Sequence, residues 1–399
     1  MKTTASLLIG ATLLCNVSLS ASDPWIRHTV DPADAETGKR GADGVRLGDI
    51  NGDGFPDIVT GWEEGKVIRV CLNPGPENAS QQWQGIDVGH VTSAEDAVFA
   101  DLDGDGNLDV VSATEGKTRT VYFHWCPANM EKLTDPAAWT TAPVPVTEGK
   151  QMWMFTLPRD IDADGDTDLI VGSKGKGGSV SWLENPGNET ARQVEEWKLH
   201  RIADAGWIMS LRILEAKGEE YLVYSDRKGD GSGIYLAKAI AKSPWFEKPF
   251  CIGAAGEEVM FLDLAHLDDD QNLDIAVALR PDRIQVLYQP DEVLQKWPDF
   301  AELDPLASDK WGGVKAVAVG LIDKDEIPDF VITCERANGK LNGALLSTMH
   351  SEFTSISESE GVKFDRIELL DLDADGDLDV LTCEERDQLG VFWYENPTK

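Results

Sequence analysis

The sequence predicts an all-β fold: a single seven-bladed β-propeller with four antiparallel strands per blade, its ring closed by the N-terminal strand. Three observations carry this. A nine-residue acidic loop recurs with starts near 49, 101, 160, 213, 266, 321 and 371, a spacing of 50 to 59 residues. Each loop stands between two apolar strands and is followed by an aromatic strand and a tryptophan-led strand. Finally, Trp25-Ile26-Arg27-His28-Thr29-Val30 resembles the strand Trp197-Lys198-Leu199-His200-Arg201-Ile202. Self-similarity at such a period indicates stacked structural units, and four short strands per unit indicate a propeller.

The chain begins with a secretory pattern: Lys2, an apolar run from Leu7 to Leu14, and small residues at Ser18-Leu19-Ser20-Ala21. Residues 1–21 are therefore read as a signal peptide and 22–399 as the propeller, placing the protein in the periplasm or outside the cell. Cys15 follows Thr12-Leu13-Leu14 and so lacks the small residue that lipid attachment wants before the cysteine. No later stretch approaches the ~20 apolar residues of a membrane span, so no membrane insertion is expected.

The loop at Asp101-Leu102-Asp103-Gly104-Asp105-Gly106-Asn107-Leu108-Asp109 is the clearest copy. Carboxylates at positions 1, 3, 5 and 9 repel one another unless a cation compensates. Hard oxygen ligands on a tight loop suit Ca²⁺, and a solvated acidic turn is the alternative. Copies begin at Asp49, Asp160 and Asp371, and weaker ones at His266 and Leu321. The spacing also predicts a hidden copy at Ile213, where Tyr221 replaces the last acid and Lys217 stands at position 5 as an internal cation. A second strand leaves each loop, as at Asp57-Ile58-Val59-Thr60, and a third follows, as at Val67 to Leu72. Several third strands end at Asn-Pro (Asn73, Asn185, Asn396), a turn signal. Fourth strands are placed after Trp83, Trp139, Trp197, Trp245 and Trp297, and after Phe353 in the sixth repeat. The last repeat ends where its fourth strand should start, and the strand at Trp25 fills that place.

Composition agrees with a folded, exported monomer. Lys plus Arg number 36 against 71 Asp plus Glu, a net charge of -35, which disfavours nucleic acid. Thirteen tryptophans and 42% apolar residues argue against disorder. Five cysteines remain after the leader (Cys71, Cys126, Cys251, Cys334 and Cys383), too few and too odd for a disulfide framework. Cys334 and Cys383 either face each other across neighbouring blades or stay as buried thiols.

With these residues in view, the chain resembles the FG-GAP or VCBS repeats of bacterial exported proteins, and its loops are similar to the calcium-bearing blades of integrin α-subunit propellers. An EF-hand is the competing calcium motif, but Thr60, Ser112, Val171 and Thr382 stand where its position-12 acid belongs. The resemblance implies about four structural Ca²⁺ sites. Their side-chain ligands are Asp49, Asn51, Asp53 and Asp57; Asp101, Asp103, Asp105 and Asp109; Asp160, Asp162, Asp164 and Asp168; and Asp371, Asp373, Asp375 and Asp379. The fifth and sixth loops lose position 1 (His266, Leu321) and the glycine at position 6 (Gln271, Glu326), which puts both metal and turn in doubt there.

The resemblance also implies that the acidic loops share one face and that the opposite face holds the loops preceding first strands and joining second to third strands. Candidate ligand-binding residues there are Glu95, Asp96, Lys117, Arg119, Lys150, Trp153, Trp207, Arg227, Lys228, Glu257, Glu258, Glu335 and Arg336. Mixed charges with indoles suit a polyhydroxylated ligand, charged hydrogen bonds fixing hydroxyls while an aromatic face covers the ring. A glycan or an extracellular protein is the implied partner. No nucleophile elbow, P-loop or metalloprotease motif is present. A sugar lyase or dehydratase is the alternative to a binding module, with Glu95 or Glu257 moving a proton and Lys117, Arg119, Lys150, Arg227 or Lys228 neutralising an anionic centre.

Overall fold

The structure is a computed structural model describing residues 24–302, 305–323, 325–346 and 353–398. The leader assigned to residues 1–21 lies outside the described residues. Among those described, the strands form seven four-stranded sheets. The expectation of a seven-bladed propeller is corrected: the blades built of consecutive strands number six, not seven. Blade 1, for example, uses Ala42–Gly48, Asp57–Trp62, Val67–Leu72 and Gln84–Gly89 in that order. The remaining sheet is composite. It takes Glu368–Leu370, Asp379–Glu384 and Gly390–Glu395 from one end of the chain and Ile26–Asp31 from the other.

Composition explains the strand order. Second strands such as Asp57–Trp62, Asp109–Thr114 and Asp274–Leu279 are buried at every residue, because sheets cover both of their faces. From blade 1 round to the composite blade, each first strand packs against that of the next blade. Tryptophans at the start of outer strands fill the gaps between blades. The indole N–H groups of Trp83, Trp139, Trp197 and Trp297 donate to the carbonyls of Ala79, Leu133, Ala191 and Val293. Blade 4 departs, since its outer strand, Phe250–Gly253, begins five residues after Trp245.

The seam of the composite blade repeats a contact set of blade 3. Ile26 pairs with Glu395 and Thr29 with Phe392 in antiparallel register. His28 Nε2 lies 2.8 Å from Glu395 and its ring 4.5 Å from that of Trp393. In blade 3, His200 Nε2 lies 2.6 Å from Glu184 and its ring 4.7 Å from that of Trp182.

The last aspartate of each acidic loop is a buried clasp. Asp57 accepts the amides of Ile50 at 2.9 Å and Asn73 at 2.7 Å, tying the start of the loop to the end of the third strand. Asp109, Asp168 and Asp379 do the same with Leu102 and Cys126, Ile161 and Asn185, and Leu372 and Asn396. The fifth loop keeps the clasp despite the loss of glycine, Asp274 accepting Leu267 and Gln289; in the sixth, one oxygen of Asp329 accepts the amides of Ile322 and Asp323 at the start of the loop. The Asn-Pro asparagines do more than turn the chain. Asn185 Nδ2 donates across to the carbonyl of Leu102 in blade 2, and Asn396 Nδ2 to that of Ile322 in blade 6.

The hidden loop at residue 213 is not a loop. Ile208–Ala216 and Glu219–Asp226 form a hairpin closed by Lys217 and Gly218, with φ of 54° and 77°. Two successive positive φ values are what a two-residue hairpin turn with the strands' own twist requires. Lys217 is thus an exposed turn residue, 3.4 Å from Asp291, rather than an internal cation. Cys334 and Cys383 are free buried thiols.

The clasp should act without metal. Asp274→Ala leaves the amides of Leu267 and Gln289, the second buried, without acceptors and should cost roughly 2–4 kcal/mol of stability, measured by denaturant unfolding, with EDTA present or absent. A loss seen only in the presence of Ca²⁺ would count against a metal-independent clasp.

Candidate functional site

Two groups of side chains can do chemistry, one at each end of the ring. At the acidic loops, carboxylate oxygens of Asp101, Asp103 and Asp105, of Asp160, Asp162 and Asp168, and of Asp371, Asp373 and Asp379 gather within 4.8 Å of one another. Burial pushes Asp109 and Asp168 up to about 7 and Asp379 up to about 8, with neighbouring aspartates adding to the shift. Asp101 Oδ1 and Asp162 Oδ1 are buried acceptors without a donor. Such crowding fits a divalent cation. The remaining assigned ligands serve the loops themselves: Asp164 accepts the Asp166 amide, and Asp375 that of Asp377. In the first loop, Asp49 accepts the amides of Gly52, Asp53 and Gly54, while Asn51 donates to Asp53. In the second, Arg192 already reaches Asp103 from blade 3, its guanidinium 5.0 Å from the Trp125 ring centre.

At the opposite end lies a funnel of about 690 Å³. All seven sheets or their loops contribute to its wall. Of the residues assigned to this face, Glu95, Trp207, Arg227, Lys228, Glu335 and Arg336 come together in it. Asp96 instead holds Arg46 through both oxygens, at 3.0 and 3.1 Å, and is 1% exposed. Trp153 is fully buried, its indole donating to Thr147. Lys117, Arg119 and Lys150 are exposed turn residues outside the funnel lining. Glu257 pairs with Arg283 and Glu258 with Arg227, and neither glutamate lines the funnel.

Chemistry concentrates in two clusters. Glu63, Glu95 and Glu115 lie within 4.8 Å of one another, with Lys174 ion-paired to Glu115 and 3.5 Å from Glu95. Desolvation pushes Glu95 up to about 8 against the pull of Lys174, and Glu115 and Glu63 raise it further. The second cluster was missed from sequence: Asp43, Lys315, Lys363 and Asp365 at the throat. Lys315 lies 2.9 Å from Asp365. Against burial, Lys315, a hydrogen bond with Asp43 and Lys363 hold Asp365 below the usual carboxylate range. Burial raises Asp43 well above it. A lysine inside the apolar run Val314-Lys315-Ala316-Val317 was the available signal, since a charge is tolerated there only if the strand faces a channel.

The expected stacking platform is absent from the described residues. Lys174, Arg227 and Lys228 lie 4.5, 4.5 and 4.6 Å from the Trp207 ring centre. Trp62 is buried, with Lys39 4.9 Å from its ring, and Trp311 is buried beside Lys310. Cations therefore cover these indoles. Beside the covered Trp207, the apolar part of the funnel is formed by Met154, Phe155, Met209, Phe261 and Val362.

Residues 49–112 match the model of the FG-GAP-like repeat. A comparison with curated proteins gives no match. Among solved structures, the chain is similar to one described as "Structure of Dos1 propeller", with a TM-score of 0.48 and 8% identity over 85% of this chain and 74% of that one.

A carboxyl group whose pKa is raised on folding binds its proton more tightly in the folded state. Its contribution to stability is therefore lost as pH rises from the unfolded value toward about 8. Glu95→Gln should flatten the decline in stability between pH 5 and pH 8 by on the order of 1–3 kcal/mol, read from unfolding curves across that range. An unchanged pH profile would place Glu95 among the ordinary carboxylates.

Proposed function

Taking an FG-GAP-like repeat chain folded as a β-propeller as the premise, we propose that the protein is an exported, calcium-stabilised binding module. Its ligand, a carbohydrate or a polar segment of an extracellular protein, occupies the funnel opposite the acidic loops. One observation carries this reading: blades all round the ring direct charged donors and charged acceptors into a single cavity of about 690 Å³. That volume lies within the range of small-molecule sites. Hydrogen bonds to charged groups are roughly twice as strong as neutral ones, so a ligand rich in hydroxyls meets strong partners on every side. With the indoles covered, the apolar contact falls to Met154, Phe155, Met209, Phe261 and Val362.

Calcium serves the scaffold in this reading. Asp101, Asp103 and Asp105, Asp160, Asp162 and Asp168, and Asp371, Asp373 and Asp379 would hold it. The ion supplies the positive charge that lets those carboxylates sit together. The leader at residues 1–21 supports export into a compartment where such sites would be filled.

A second reading, a lyase or dehydratase acting on sugars, is favoured by Glu95. A carboxyl group raised to about 8, with an ammonium 3.5 Å away, is poised to give and take a proton near neutral pH. Lys174 takes the part that the sequence assigned to other cations. Glu257, paired with Arg283 and outside the lining, is not in the same position.

Two measurements test these proposals. Chelation by EDTA should lower the melting temperature by on the order of 5–10 °C, from three sites each worth roughly 1.4 kcal/mol at free calcium ten times Kd; an unmoved melting curve removes calcium from the account. Glycan-array binding followed by product analysis separates module from enzyme. Under the enzyme reading, Glu95→Gln keeps binding and loses turnover, whereas bound sugars recovered unchanged from the wild type leave the module.

A further inference from the structure

The funnel is electrically divided, and the division narrows its ligand. On blades 4 to 6, the cations Arg227, Lys228, Arg280 and Arg336 accompany two carboxylates, Glu258 and Glu335. Arg227 pairs with Glu258 at 2.6 Å, and Arg280 pairs with Glu335. Lys228 and Arg336 are left with acids already engaged by these nearer partners, at 4.0 Å and 3.7 Å. Both line the cavity, and their side chains are 48% and 76% exposed. Asp226, in the same turn as Lys228, is turned to the backbone, accepting the amides of Gly206 at 2.8 Å and Trp207 at 2.7 Å.

This gathering runs against a chain with 71 acidic and 36 basic residues. Like charges held at short range repel. Desolvation, Arg227, Arg280 and Arg336 together keep the Lys228 ammonium below the usual lysine range even with Glu258 nearby. An anion received between Lys228 and Arg336 would relieve that repulsion. Glu63, Glu95 and Glu115 form the opposing side, an acidic cluster whose oxygens accept hydrogen bonds from hydroxyls and whose neighbouring cation, Lys174, is already paired with Glu115. The two sides would fix which end of a ligand goes where.

We infer that the funnel's ligand is an acidic saccharide, its carboxylate or sulfate received by Lys228 and Arg336 and its hydroxyls by Glu63, Glu95 and Glu115. The inference rests on the funnel-binding reading above and deepens it. Because cations cover the Trp207 ring, a neutral sugar gains no stacking there to replace the missing charge.

The test is calorimetric titration of the full chain with three probes: an oligouronate, the same oligomer carboxyl-reduced to a neutral sugar, and a sulfated oligosaccharide. The oligouronate should bind at least tenfold more tightly than its reduced form, and the margin should shrink as salt rises. The Lys228→Ala, Arg336→Ala double variant should bind both forms alike at an unchanged melting temperature. A preference for the sulfated probe that the same variant loses supports the inference and assigns the anion to sulfate. Equal affinity of the wild type for charged and neutral forms overturns the inference while the funnel-binding reading stands. A preference that survives the double variant overturns the assigned residues, and failure of all three probes to bind overturns both the inference and the carbohydrate reading.

Discussion

The structure depends first on one buried carboxylate per acidic loop. Its two oxygens face two backbone amides, one just inside the loop and one at the end of the third strand, some 16 residues on, as Asp57 does with Ile50 and Asn73. A nine-residue irregular segment would otherwise bury unpaired amides, which proteins rarely tolerate. One short side chain settles two of them and fixes the third strand against the loop. The neighbouring blade is then reached through the Asn185 and Asn396 amides. The same geometry persists where the other acids have changed, in the loop at His266. The clasp is therefore separable from the other acids of the motif.

The other end of the ring works by a different economy of charge. At the throat, ions taken out of water are matched, as Lys315 is with Asp365, because an unmatched buried charge is costly. Toward the mouth the matching loosens, and Lys228 and Arg336 share acids that nearer partners already hold. Trp207 organises the transition. Its ring draws Lys174, Arg227 and Lys228 around it, holding cations at positions that their flexible stems alone would not fix. An indole that sequence reasoning takes for a ligand platform thus orders the charges that would meet the ligand.

Much of the fold was legible because it repeats. Asp-x-Asp-x-Asp-Gly-x-x-Asp between apolar strands constrains turn, register and blade at once, and the kinship of Trp25–Val30 with Trp197–Ile202 extends to the contacts of His28 and His200. Periodicity misled at residue 213, where spacing asked for a loop and the chain closes in two residues. Lys217-Gly218 is an ordinary hairpin signal that the search for a repeat overrode. The site was less legible because it is made between blades. Glu95 and Trp207 converge whereas Asp96 and Trp153 face inward, since strand alternation sends adjacent residues to opposite sides. Asp43 of blade 1 meets Glu385 of the composite sheet only because the two sheets stand side by side.

The composite blade has a consequence for the order of folding. Six sheets are made of strands close in sequence and can form as their residues become available. The seventh needs Ile26 to find Glu395, at opposite ends of the described chain. Contacts so distant in sequence form late, because the loop they close is the longest in the molecule. Until then the strand Gly390–Glu395 presents a bare edge, open to pairing with another copy. The seam is thus a checkpoint in time as well as a joint in space: a chain threaded outward from its first residue cannot complete its ring until its last strand has arrived.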